Sequence, residues 1–88
     1  MDELNLVDYE ISKHLAAKDL PFNALIAAAV RKADTDNLMR LESVFPKLVG
    51  DLKRRYNAPG GMLPEDGIQD AEATFERIRE VVHSYMRS

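Results

Sequence analysis

Apolar residues recur at helical spacing along most of the chain, beginning close to its first residue. The first set lies at intervals of three, four and four residues: Leu4, Val7, Ile11 and Leu15. This spacing places the four side chains on one face of a helix. With Asn5 as a candidate N-cap, the pattern predicts a helix over residues 6–18.

A second helix is predicted over residues 21–33. The Leu20-Pro21 step disfavours helical backbone before the proline and pre-sets the φ angle for a helix start. The residues that follow are apolar on one broad face, and the other side is thinned by three alanines at positions 24, 27 and 28. These alanines either let another backbone approach closely or simply reflect the high helix propensity of alanine.

A third helix is predicted over residues 36–56, because its apolar residues keep helical spacing throughout. The preceding turn offers Asp34 or Thr35 as its N-cap. Pro46 lacks a backbone N–H, which predicts a kink or break between Ser43 and Pro46. Seven side chains of the second and third helices are expected to be buried together: Phe22, Ile26, Val30, Leu41, Phe45, Leu48 and Leu52.

A fourth helix is predicted over residues 67–87, after a loop rich in proline and glycine. Asp66 with Gln69 three residues later resembles a capping box. The apolar residues of this helix form a narrow seam, which is typical of packing on a single partner helix in the same chain or in another copy. The residues predicted to mediate oligomerisation are Ile68, Phe75, Ile78, Val82 and Tyr85.

These elements predict an all-α fold: a small bundle of about four helices, broken or kinked near Pro46 and oligomeric. A length of 88 residues permits only one domain. Residues 1–65 are expected to form its helical core, and residues 66–88 a C-terminal amphipathic docking or oligomerisation helix of the same domain.

Composition narrows the function classes. The chain has no cysteine, which excludes disulfides and thiolate metal sites and indicates a reducing compartment. It has no apolar run of membrane-spanning length, and its acidic start lacks the features of a signal peptide. We therefore expect a cytoplasmic protein without a membrane partner.

Catalytic chemistry finds no support in the sequence. His14 and His83 are the only histidines, and neither lies in a metal-binding pattern. The serines lack the flanking motif of a hydrolase nucleophile. We expect a protein that is not an enzyme and that uses no cofactor and no metal.

Charge is distributed unevenly along the chain. Residues 20–57 carry a net charge of +3, whereas residues 1–19 and 58–88 each carry −3. The basic segment includes a run that combines three cations with an aromatic ring, Lys53-Arg54-Arg55-Tyr56, and a basic pair, Arg31-Lys32. Such groups bind phosphates or carboxylates while the ring stacks, so these six residues are the candidate site for a ligand or partner.

Two structural interpretations compete with that site. Basic residues in a last turn stabilise the helix C-terminus through its dipole, which explains the run without any ligand. The bases are also candidates for pairing within the molecule, with the acidic face of the fourth helix, where Glu72, Glu76 and Glu80 lie at intervals of four residues. The sequence leaves these alternatives open.

Parts of the chain, Ala33 to Asn37, Phe45-Pro46 and Arg55 to Gly61, resemble short proteins of bacteriophages and integrative mobile elements. The resemblance covers about residues 8–65 and implies no activity and no site residues. It implies a phage or mobile-element setting in the cytoplasm of a bacterial host, where small helical proteins frequently act by occupying a host component.

The expected function is therefore stoichiometric binding by a homo-oligomer, which inhibits a host defence protein or sequesters a small anionic nucleotide-like signal. Two alternatives remain: a nucleic-acid-binding accessory or regulatory protein of a mobile element, and a structural protein that assembles with itself. Nucleic acid is the less favoured partner, because a pI near 5.3 is unlike that of most phosphate-binding domains.

Overall fold

The computed structural model describes residues 3–87 and is all-helical over that range, with no β-strand. Two short 3-10 helices, Pro59–Gly61 and Pro64–Asp66, lie between the last two α-helices. The five α-helices are α1 (Leu6–Ala17), α2 (Phe22–Lys32), α3 (Thr35–Val44), α4 (Pro46–Tyr56) and α5 (Ala71–Met86). The predicted all-α class is confirmed. Met1, Asp2 and Ser88, the ends of the predicted segments 1–65 and 66–88, lie outside the described residues.

Two of the predicted helix starts are confirmed by their capping hydrogen bonds. The Asn5 side chain accepts from the Asp8 backbone N–H at 2.7 Å, and the Asp34 side chain accepts from that of Asn37 at 2.9 Å. Each bond satisfies a donor that a helix N-terminus otherwise leaves without a partner.

The predicted cap of the last helix was wrong. Asp70, not Asp66, accepts from the Ala73 N–H at 3.1 Å, so α5 begins at Ala71 rather than at residue 67. Asp66 instead accepts from the Leu63 N–H at 2.9 Å and closes the second 3-10 helix. Its carboxylate is therefore committed to the loop that precedes α5.

The predicted break before Pro46 is confirmed and is complete. Phe45 leaves the helical region at φ −125° and ψ 59°, although its N–H still donates to Leu41 at 2.7 Å. Pro46 then starts α4, a position where its missing N–H costs nothing and its fixed φ is favourable. The predicted helix over 36–56 is thus two helices, and α3 and α4 pack against each other.

The packed part of the chain is centred on α4, which contacts α2, α3 and the first 3-10 helix. Val49, in the middle of α4, is fully buried, and Leu63 is 8% exposed. Of the seven predicted core residues, six are half-buried around this centre. The seventh, Phe22, is 62% exposed; it is the first residue of α2, and its ring forms an edge contact with Phe45 at 6.2 Å between centroids.

The remaining two helices extend from this unit. No other α-helix packs against α1 or α5 within the described residues. The Cα radius of gyration is 15.4 Å, against about 12 Å for a compact chain of this length. The molecule is accordingly long and flat, 45 × 33 × 15 Å, and the predicted four-helix bundle is not confirmed.

Among residues 3–87, none of the helices is both long enough and apolar enough to cross a bilayer.

Val49 offers a direct test of the packing centre. Val49→Ala removes two buried carbon atoms and leaves a cavity, so we expect a loss of about 2 kcal/mol in unfolding free energy and a fall in Tm of roughly 10 °C. Val44→Ala is the matched control, since Val44 is 68% exposed and the same substitution there is expected to change stability by less than about 0.5 kcal/mol. Equal effects in urea denaturation would contradict the assignment of Val49 as the centre.

Gly50, the neighbour of Val49, provides an independent test of α4. A Cβ built on Gly50 meets no atom within 4 Å outside its chain neighbours and the nearby helix backbone. Gly50→Ala is therefore expected to stabilise the protein by about 0.5–1 kcal/mol, because glycine loses more backbone entropy on entering a helix. A lower Tm for this variant would show that α4 is not a regular helix at this position.

Candidate interaction site

The basic turn, defined as Lys53, Arg54, Arg55 and Tyr56, forms the last turn of α4. Directly after it, the chain passes through the two 3-10 helices before reaching α5. All three cations of the turn reach carboxylates elsewhere in the chain.

Arg55 holds the loop after α4 in place. Its Nη1 and Nη2 atoms each donate to one oxygen of Asp66, both at 2.7 Å, and Nη1 also donates to the Gly61 carbonyl at 2.9 Å. Gly61 has φ +72°, a left-handed conformation that glycine adopts without steric cost. The planar guanidinium fork fits this paired arrangement, which a lysine ammonium does not.

The other two cations contact their carboxylates through one nitrogen atom each, without the paired geometry of Arg55. The Arg54 guanidinium lies 2.7 Å from Glu65 and 3.5 Å from Asp51, and Lys53 Nζ lies 3.0 Å from Glu42 on α3. These contacts tie the end of α4 to the elements on either side of it. The basic turn is thus already paired within the chain.

The ion pairs change the acidity of their carboxylates. The hydrogen bonds from Arg55 lower the pKa of Asp66 far below its ordinary value, and the hydrogen bond from the Leu63 N–H adds to this effect. The hydrogen bond from Arg54 likewise lowers the pKa of Glu65. Both carboxylates stay ionised in acid that protonates an unpaired carboxylate.

The partners of the two arginines differ from the expected ones. The competing interpretation paired the bases with Glu72, Glu76 and Glu80 on the last helix, but Arg54 and Arg55 pair with Glu65 and Asp66. The sequence signal for these pairs is weak, since only a complementary charge about eleven residues away connects them. Side chains on one helix contact each other at intervals of three or four residues, so an interval of eleven predicts no contact.

The second predicted basic group lies elsewhere on α2. Arg31 and Lys32 are exposed in its last turn, and Lys32 lines a groove of about 370 Å³ with Asn37 and Arg40 of α3. Arg55 instead lines a groove beside the first half of α2, near Asn23 and Ala24. The basic turn at the end of α4 and the Arg31-Lys32 pair at the end of α2 are therefore beside two different grooves, which Arg55 and Lys32 line respectively.

The groove beside Arg55 runs between α2 and α4 and has a volume of about 660 Å³. Ala24 and Ala27 form part of its α2 wall, and Leu48 and Leu52 part of its α4 wall. Lys47 and Asp51 pair at its edge at 3.2 Å. Small side chains on α2 thus leave an open apolar trough beside the basic turn. Tyr56, the aromatic residue of that turn, is 79% exposed.

The predicted oligomerisation seam on α5 divides into two parts. Ile68, Phe75 and Tyr85 are half-buried. The Phe75 ring lies beside Gly60, because a Cβ built on Gly60 would be 3.4 Å from its nearest ring atom. Ile78 and Val82 remain exposed. The beginning of the seam therefore lies against its own chain, whereas in the later part Ile78 and Val82 are open and only Tyr85 is half-buried.

Two apolar stripes are uncovered. The α5 stripe extends the open part of the seam and consists of Ile78, Val81, Val82 and Met86, which are 43–55% exposed. The α1 stripe consists of Leu4, Val7, Ile11 and Leu15, which are 43–67% exposed. The spacing in the sequence identifies both stripes, but it does not show that they lack a covering surface.

The total surface gives the scale of this exposure. The accessible surface of the chain is 7462 Å², whereas a compact monomer of this mass exposes about 5200 Å². The excess of about 2300 Å² is the surface that a compact fold of this size would bury.

No protein-family model, curated protein or solved structure matches this chain. The resemblance of residues 8–65 to phage and mobile-element proteins stays a prediction.

The Asp66 ion pair predicts a specific pH dependence of stability. Because folding lowers the pKa of Asp66, the stabilisation is complete above the pKa of the unfolded chain, near 3.9, and is lost as pH falls towards the lower folded value. Asp66→Asn is therefore expected to be less stable than the wild type at pH 7, with a difference that narrows below about pH 4. Glu76→Gln, which removes one negative charge from the exposed face of α5, is the control and is expected to change the free energy of unfolding at pH 7 by less than Asp66→Asn does in urea denaturation, because Glu76 forms no ion pair among residues 3–87. A constant Asp66→Asn difference from pH 7 to pH 2 would show that the ion pair does not contribute.

Proposed function

We propose that this chain is a non-catalytic binding protein that acts in a complex of fixed stoichiometry, in which another protein covers the apolar stripes of α1 and α5. The observation that carries this proposal is the excess surface of about 2300 Å² over a compact monomer. Stable protein complexes bury about 800 Å² per partner, and permanent ones bury more. The excess is large enough for a permanent association.

The state of α1 supports the same conclusion. A helix of 12 residues is marginally stable in water when nothing packs against it. No other helix packs on α1 in the described chain, yet α1 carries a regular apolar stripe. A protein surface that covers this stripe supplies the missing stabilisation.

The proposed partner is a protein rather than a phosphate-bearing ligand. Arg54 and Arg55 already bind Glu65 and Asp66, so a nucleotide or nucleic acid has to displace carboxylates to reach them. The apolar stripes require no such displacement. In the phage or mobile-element setting that the resemblance implies, a host defence component is the class of foreign protein to which the complex binds.

Site-specific photo-crosslinking in bacterial cells tests this function. The full chain is produced with p-benzoylphenylalanine at Val7 or at Val82, which are 67% and 51% exposed. We expect one discrete cross-linked species from each stripe, with masses that give a fixed stoichiometry. Met39 is the matched control, because it is 63% exposed on α3, away from both stripes, and is expected to give no such species.

The outcome that contradicts the proposal is equally specific. If the probes at Val7 and Val82 give only the uncross-linked chain, or cross-links within one chain, no other protein covers the stripes. Cross-linked species of many masses, with the same pattern from Met39, would indicate non-specific adhesion of apolar surface and would also overturn the proposal.

A further inference from the structure

The two apolar stripes match in length. Within the helices, the α1 stripe from Val7 to Leu15 and the α5 stripe from Ile78 to Met86 each cover nine residues, or about 12 Å along a helix axis, and Leu4 extends the α1 stripe ahead of the helix. Helix stripes of this kind are covered most simply by another helix, because side chains at intervals of three and four residues fit between those of a partner. Each stripe therefore has the dimensions that the other requires.

The α1 stripe is bordered by acids. At 3.6 residues per turn, Asp8 falls at one edge of the stripe, and at the other edge Glu10 falls just beyond His14. Glu10 forms an ion pair with Lys13 at 3.2 Å on the same helix, whereas the Asp8 carboxylate has no partner among residues 3–87. This border attracts cations.

The α5 stripe is bordered by bases. Arg77 falls beside Val81 at one edge, and Arg79 falls beside Val82 at the other. Within the described chain, neither guanidinium reaches a carboxylate. The two borders are thus complementary in charge, and complementary borders select the partner and the register of packed helices.

We propose that two copies of this chain form a symmetric dimer in which the α1 stripe of each copy packs on the α5 stripe of the other. This inference rests on the proposed function and names its partner as a second copy. Within one chain, α1 and α5 do not pack against each other. Two-fold symmetry makes the contact twice, so four stripes are covered in one dimer.

The area agrees with such a dimer. Two contacts between helices, with the ends of the neighbouring elements, remove on the order of 800–1500 Å² from each copy, which is the range of stable dimers. The excess surface of about 2300 Å² per chain accommodates that burial. A single contact between two α5 helices leaves the α1 stripe uncovered.

Two charge-reversed variants of the full chain test the pairing. One is reversed on α1, with Asp8→Arg and Glu10→Arg, and the other on α5, with Arg77→Glu and Arg79→Glu. In either variant, both contacts of a homodimer bring like charges together. Sedimentation velocity over a dilution series is expected to show a wild-type dimer and a homodimer affinity lowered on the order of tenfold or more in each variant.

Mixing the two variants provides the decisive result. In a heterodimer, the basic α1 of the first variant meets the acidic α5 of the second, and the acidic α1 of the second meets the basic α5 of the first. Dimerisation is therefore expected to return on mixing, which also shows that both variants are folded. Pairing of α5 with α5, or of α1 with α1, predicts instead that at least one variant keeps its homodimer unchanged.

Two controls match the change in charge. Glu76→Arg with Glu80→Arg makes the same reversal as the α1 variant, but on the outer face of α5. Arg31→Glu with Lys32→Glu matches the α5 variant, but on α2. Both are expected to keep the wild-type affinity.

The inference is overturned if the wild type sediments as a monomer at every concentration, if either stripe variant dimerises like the wild type, or if the mixture stays monomeric. Failure of this pairing is distinguishable from failure of the proposed function. If the wild type is a monomer and cross-links from Val7 and Val82 to one different protein, the dimer is excluded but the proposed function is retained. Absence of any intermolecular cross-link excludes both.

Discussion

Pro46 has no backbone N–H to donate, and the packed part of the structure depends on that missing group. In a continuous helix over residues 36–56, the two halves would lie end to end and could not pack against each other. Because the chain breaks at Phe45, α4 turns back against α3 and also packs on α2, and Val49 is buried in the middle of α4. Among the described residues, Val49 is thus fully buried because a helix is interrupted. The place of the interruption decides which residue is buried.

The second determinant is the Arg55 fork. An ion pair at a surface contributes little in most proteins, because both side chains lose freedom and solvent screens them. Here one guanidinium joins a carboxylate and a backbone carbonyl from two different turns of the same loop. The bonds therefore select one path for residues 57–67, and that path decides where α5 begins. A group predicted to bind a ligand thus also connects two parts of the fold.

The features that sequence analysis predicted correctly are local ones. The caps at Asn5 and Asp34 and the break at Pro46 each depend on a few neighbouring residues, and local stereochemistry decides them. The Asp66 cap failed because a distant arginine outcompeted the local helix start for the same carboxylate. The burial of Leu63 was missed because a single leucine in a loop carries no periodicity. The stripes of α1 and α5 were visible as patterns, but periodicity shows which face of a helix is apolar and not what lies opposite it.

The contact between Phe75 and Gly60 has a mechanical consequence. It lies near the start of a 16-residue helix, so this contact is the fulcrum about which the rest of α5 can tilt. A tilt of about 20° at the fulcrum moves Met86, some 16 Å further along the axis, by roughly 6 Å. A Cβ at position 60 would lie 3.4 Å from this ring, which is ordinary van der Waals contact, so glycine is favoured there by its φ of +62° rather than by the ring. The position of the far end of α5 therefore depends on how the Phe75 ring sits against the left-handed turn at Gly60.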